Sequence, residues 1–146
     1  MKLVRKNISI ELRTVIEDQG EKELSIIKQT GTYVKKENIE VISFIEKANE
    51  LGNVENLITI RPNKINIKRS GKVEMNQQFI QGKQTECLYR HPYGSFLLEI
   101  TTKSITHQSL ADDKEGKVII QYDVKLDKEE SRHHHLTLTY TEEKLT

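Results

Sequence analysis

Arg69 is the residue whose chemistry is hardest to place on a surface. It follows Ile65 and Ile67 at two-residue steps, and alternate side chains of a strand share a face, so its guanidinium points with the isoleucines toward the interior. A buried guanidinium brings five donors that need carboxylates, carbonyls or a bound anion. Two readings follow, an anchor for a carboxylate-bearing ligand and a structural plug across the end of a barrel, and the plug is the plainer one. Tyr89, Tyr93 and Tyr122 combine an apolar body with a polar tip and suit a ligand that enters beside Arg69. Met75 and Phe79 fall on the same inward row and complete the candidate ligand set.

The remaining reactive types read more blandly. His133, His134 and His135 precede the last apolar strand. On a strand His133 and His135 share a face, and His-x-His is a spacing that zinc sites use. Yet Leu136, Leu138 and Tyr140 set the inward face, which turns His135 outward with Thr137 and Thr139. Spacing fixes no third ligand, so a solvated pair and no metal site is the expectation. Cys87 and His91 do not face each other across a strand end as they would on a helix, and an inward thiol is inert core. Glu74, Glu86 and Glu99 fall where a polar outer face belongs. Ser95 lies in no Gly-x-Ser-x-Gly elbow, and neither a phosphate-binding glycine loop nor a His-Glu-x-x-His run occurs. No catalytic residue is assigned, no cofactor is expected, and enzyme chemistry is without support.

One stretch is wholly basic. Arg61, Lys64, Lys68, Arg69 and Lys72 follow one another with no acid between them. With Phe79, Tyr89 and Tyr93 nearby, such a hairpin invites a reading as a single-stranded nucleic-acid face, since basic grooves track the backbone and rings stack bases. Lysines that blunt edge pairing explain it equally well. Arg61, Lys64, Lys68 and Lys72 are therefore kept as a candidate partner surface that ranks behind the ligand reading.

The elements that must position these residues are strands. Ile8, Ile10 and Leu12 alternate with Ser9, Glu11 and Arg13 before an Asp18-Gln19-Gly20 turn. The second strand, Glu23 to Lys35, has Gly31 in its interior, where glycine usually marks a bulge or bend. Ile39, Ile42, Ile45, Ala48 and Leu51 recur at near-helical spacing. That segment reads as a strand to Ile45, then a loop or one helical turn ending at Gly52. Leu57 to Ile60 and Ile65 to Ile67 flank Arg61-Pro62-Asn63-Lys64, a type I hairpin turn with Pro at its second position. Beyond Ser70-Gly71, alternating rows follow at Val73 to Phe79, Thr85 to Tyr89, Phe96 to Ile100, Val118 to Leu126 and Leu136 to Tyr140, with His91-Pro92-Tyr93-Gly94 as one of the corners. Some ten short strands at regular spacing, with no helical pattern between them, read as an antiparallel barrel or sandwich. Closure removes exposed edges, which favours the barrel.

Composition agrees. Among 146 residues, Ile, Val and Thr number 17, 8 and 12 while Ala numbers two, and β-branched side chains fit a pleated, half-buried surface. One domain, 1–146, is expected, long enough to bury roughly two-thirds of its unfolded surface. The formal net charge of +1 gives no global pull toward nucleic acid or membrane. No run of about 18 apolar residues and no secretory pattern is present, and the single Cys87 fits a reducing compartment, so a cytoplasmic protein without a membrane partner is expected. The spacing does not separate a monomer from a homodimer.

The stretch RSGKVEMNQQFIQGKQTECLYRHPYGSFLLEITT, Arg69 to Thr102, followed by the Gly116 and Tyr122 strand, resembles the YwiB-like family of small bacterial proteins of unknown function. The matching positions are Arg69, Gly71, Met75, Phe79, Gly82, Tyr89, Tyr93, Gly94, Ile100, Thr101, Gly116 and Tyr122. The resemblance implies an all-β fold, a single antiparallel calycin-like (lipocalin-like) β-barrel of about eight to ten strands, and implies no activity. Calycins typically pair a Trp with an Arg at the closed end, and this chain has no Trp. The expected function is binding of a small, partly apolar ligand, anionic if Arg69 is its anchor, without catalysis.

Overall fold

The computed structural model describes residues 3–49, 52–127 and 130–143. Ten strands follow in chain order: β1 (Leu3–Asp18), β2 (Glu21–Lys36), β3 (Ile39–Asn49), β4 (Gly52–Arg61), β5 (Lys64–Gly71), β6 (Met75–Phe79), β7 (Gln84–His91), β8 (Gly94–Gln108), β9 (Gly116–Leu126) and β10 (Arg132–Glu142). All neighbours are antiparallel, in the order β6-β5-β4-β3-β2-β1-β10-β9-β8-β7. Every link but one joins consecutive strands. The exception pairs β1 with β10 and wraps the meander into a ring.

The ring closes where β6 meets β7. Glu74 and Arg90 exchange backbone hydrogen bonds of 2.9 and 2.8 Å, and Thr85 Oγ1 donates to Gln78 O at 2.7 Å. The result is a nearly closed barrel. Most strands alternate inward and outward as the sequence predicts. Ile8, Ile10, Ile42, Ile58, Ile60, Ile65, Ile100, Ile120 and Leu138 point inward and are almost fully buried, each stabilising the fold by roughly 1.5–3 kcal/mol. The Pro62-Asn63 hairpin forms in register with Arg61 opposite Lys64.

Two local expectations change. Gly31 makes no bulge: it pairs in register with Ile8 and Phe44. It marks instead a close approach, since a Cβ there would run into the Ser43 carbonyl and stand 2.8 Å from Ile10 Cδ1. The irregular registers lie between Glu46 and Asn49 in β3, and between Thr102 and Ser104 in β8. After Ile45 the chain does not leave the sheet, because β3 continues to Asn49. Leu51 and the side chain of Ala48 lie outside the described residues.

Candidate functional site

The barrel has two unlike ends. At one, residues of β1 and of β5 to β10, with the turn between β7 and β8, line an open cup of about 620 Å³. Met75, Tyr89, Phe96, Leu98, Val124 and Leu126 supply most of its wall, with Arg69, Gln77, His91, Tyr93, Arg132 and His134 among them. Each side chain is aimed by the two-residue period of its strand. Ile65, Ile67 and Arg69 share the inward face of β5, and Leu136 and His134 that of β10.

Arg69 is the polar centre of this end. Its Nη2 lies 3.1 Å from Glu46 Oε1 and donates to Glu46 Oε2 at 3.2 Å. Asn56 Nδ2 donates to the same carboxylate at 2.9 Å, while Arg69 Nε is buried without a hydrogen-bond partner. The guanidinium is therefore answered by protein on one side and unanswered on the other. His134 stacks on Tyr122, with ring centroids 5.0 Å apart. Burial first, then the neighbouring His133 and Arg132 charges, push its pKa down to about 4, so at neutral pH it offers an uncharged donor and acceptor. Tyr122 in turn meets Phe79 edge-on at 4.7 Å.

Of the candidate ligand residues, Arg69, Met75, Tyr89 and Tyr93 line the cup. Phe79 and Tyr122 do not line it: both are buried in the core, Tyr122 behind the His134 ring and Phe79 against Tyr122, so they are out of a ligand's reach. Tyr93 stands at the rim, 90% exposed, its backbone N–H donating to His91 Nδ1 at 3.2 Å.

The basic hairpin does not gather its residues. Lys64 and Lys68 flank Ile65 and Ile67 on the outward row, Arg61 Nη1 donates to Asn66 Oδ1 at 3.2 Å at the far end, and Lys72 lies beside Gly52 at the cup end. Phe79 is inside the barrel and Tyr89 inside the cup, so neither ring joins the outward lysines as a stacking face. On the outer wall His133 Nδ1 meets Asp123 Oδ1 at 2.9 Å and Lys103 reaches Asp123 Oδ2 at 3.2 Å. Among the described residues no three His, Cys, Asp or Glu side chains stand close enough to hold a metal ion. Cys87 is buried, and burial pushes its thiol pKa up against a hydrogen bond at the Asn76 backbone.

Sequence reasoning passed over the opposite end. There Glu40, 2% exposed, accepts from Tyr33 OH at 2.6 Å, Tyr140 OH at 3.3 Å and Ser109 Oγ at 3.2 Å, and lies 2.7 Å from His107 Nε2. Burial pushes its pKa up, but the hydrogen bonds from His107, Tyr33 and Ser109 and the attraction of His107 outweigh that and hold the carboxyl below its usual range. Glu40 and Glu46 belong to one period-two row with Ile42 and Phe44. The i, i+3 repeat of Ile39, Ile42 and Ile45 hides that row, and Ile39 and Ile45 in fact face outward. Reading the acids into the alternation was the signal available.

Comparisons with known proteins agree with the fold. The family model described as "Domain of unknown function (DUF1934)" matches residues 10–138. The chain is similar to the uncharacterized beta-barrel protein YwiB of Bacillus subtilis (strain 168), 35% identical over 133 residues that cover 91% of this chain and 92% of the relative. It is also similar to the crystal structure of the ywiB protein from Bacillus subtilis, with a TM-score of 0.84 and 31% identity over 96% of this chain and 94% of that one. The resemblance carried by the Arg69 to Thr102 stretch is borne out, and so is the barrel.

Proposed function

The chain belongs to the DUF1934 family, and on that premise we propose that it is a non-catalytic binding barrel whose open cup takes one small, partly apolar ligand. The observation that carries this reading is the cup itself. Its 620 Å³ fits the usual range for ligand pockets, about 300–1,000 Å³. Its wall is mostly apolar, and Arg69, Gln77, His91, Glu130, Arg132 and His134 are its polar groups. Barrels of this kind commonly hold one small molecule at the mouth, and the calycin-like character belongs to this proposal. Arg69 lines the cup and already neutralises Glu46, so the group the ligand offers it is a hydrogen-bond acceptor, a carbonyl or a carboxylate. The buried, free Cys87 favours a reducing, cytoplasmic setting.

Titration with 1-anilinonaphthalene-8-sulfonate, an apolar anion that brightens in dry sites, tests the proposal. The expected result is saturable one-site binding that weakens about tenfold or more in Leu98→Glu, since a carboxylate on the apolar wall costs more than 1.4 kcal/mol and repels the sulfonate. The control Leu57→Glu, on the outer wall, leaves binding unchanged. Equal binding in wild type and Leu98→Glu overturns the reading.

A further inference from the structure

The rings of the cup are gathered on one hairpin. Tyr89 and Phe96 stand directly opposite each other across β7 and β8 and meet edge-on, with centroids 6.4 Å apart. His91 follows Tyr89 at 5.9 Å, and Tyr93 follows His91 at 5.2 Å. Four rings thus form a continuous run from the wall to the rim. Tyr89, His91 and Phe96 are only half-buried, so each keeps part of its surface open to the cup. On the β10 side His134 has Tyr122 stacked behind it and turns its other side to the cup. Rings left partly bare around a pocket keep a stacking capacity that the fold itself does not use. The cup is also shallow. On β8 its wall ends at Leu98 and on β9 at Val124, each roughly 7 Å below the rim residue of its strand, Phe96 or Leu126. The next inward residues, Ile100 and Tyr122, are 0% and 3% exposed and lie outside the cup. A long alkyl tail would have to thread between these packed side chains, whereas a flat ring needs only width.

Resting on the reading of the cup as a ligand site, we infer that its ligand is a flat aromatic molecule that stacks on the ring run of the β7–β8 hairpin and points a carbonyl or carboxylate oxygen at Arg69. The order of strands supports that pose. Arg69 lies opposite Met75 on β6, and β6 adjoins β7 through the Glu74–Arg90 bridge, so the guanidinium stands to one side of the Tyr89 ring with a thioether between them. A thioether packs favourably against aromatic edges, and a guanidinium does so against aromatic faces. Charge does not select the ligand, because Arg69 is paired with Glu46, Arg132 is paired with Asp18 at 3.2 Å, and Glu130 adds an acid to the wall. Discrimination therefore falls to shape and to ring surface, and each ring contact changes affinity by about two- to tenfold.

Calorimetric titration with 2-naphthoate and with decanoate tests the inference, because both probes carry one carboxylate and differ in whether the apolar part is a flat ring or a chain. 2-Naphthoate is expected to occupy one site and to bind about tenfold more tightly than decanoate. Tyr89→Leu with Phe96→Leu keeps the wall apolar and removes two rings; it weakens 2-naphthoate by about tenfold and decanoate by less than about twofold. Tyr93→Leu alters a residue that is 90% exposed at the rim, so it leaves the circular-dichroism spectrum unchanged while weakening 2-naphthoate by about two- to threefold. Decanoate that binds as tightly as 2-naphthoate, or a 2-naphthoate affinity indifferent to both ring variants, overturns the inference and leaves the cup a binding site. Wild type that takes up neither acid nor 1-anilinonaphthalene-8-sulfonate overturns the inference and the binding reading together.

Discussion

Glu40 is a carboxylate in a place that ought to reject one, and four neighbours explain why it stays ionised. The Tyr33 hydroxyl makes the shortest hydroxyl contact, 2.6 Å, and the Tyr140 contact is longer at 3.3 Å. Hydrogen bonds to charged groups contribute about 1.5–3 kcal/mol. Tyr33→Phe is therefore expected to lower stability by about that much in urea unfolding, and Tyr140→Phe by less; the reverse order would show that distance does not rank these bonds. At the cup, His134 gives a prediction in pH. Its folded pKa, about 4, lies below the ordinary 6.5. As pH falls through 6.5 the unfolded chain takes up the proton first, so the stability this residue contributes is complete above 6.5 and is lost progressively down to about 4. Glu40 adds its own loss only in stronger acid, because its pKa is held below the carboxylate range. His134→Phe keeps a ring against Tyr122 and removes the proton site. Its unfolding free energy is expected to change less than that of wild type between pH 6.5 and 4, and parallel profiles would contradict the assignment.

At the scale of elements, the end opposite the cup depends on β9 and β10 approaching without a side chain between them. Tyr140 lies opposite Gly116, and a Cβ on Gly116 would overlap the Tyr140 ring. Gly116→Ala is expected to cost about 1–3 kcal/mol, as overpacking usually does. It should also push the Tyr140 hydroxyl away from Glu40. Because both effects act through one ring, Gly116→Ala combined with Tyr140→Leu should destabilise by clearly less than the sum of the single changes in urea titrations. Strict additivity would mean that the strands move apart instead. Most strand rows were legible beforehand, since Val118, Ile120 and Tyr122 alternate plainly. In β3 they were not, because its acids are inward and two of its isoleucines outward, so hydrophobicity marks the wrong residues.

For the whole molecule, closure is the costly step. β1 pairs with β2 along its length and with β10 at the far end of the chain, Ile8 opposite Glu142. Such contacts carry the full loop entropy before they return anything, and all-β domains of this kind fold in milliseconds to seconds. A stopped-flow refolding phase in that range is expected, and a microsecond phase would mean that a local hairpin governs the rate. The sequence by itself determined an all-β barrel, most of its inward rows and the inward aim of Arg69, because strand period and β-branched content act locally and leave their mark in neighbouring residues. Only the tertiary structure decided what each inward polar group meets: that Arg69 finds Glu46, that Glu40 gathers Tyr33, Tyr140, Ser109 and His107, and that β2 is left with an open edge. Those partners lie up to a hundred residues apart, and the curvature and register that bring them together are properties of the closed sheet, which no single strand encodes.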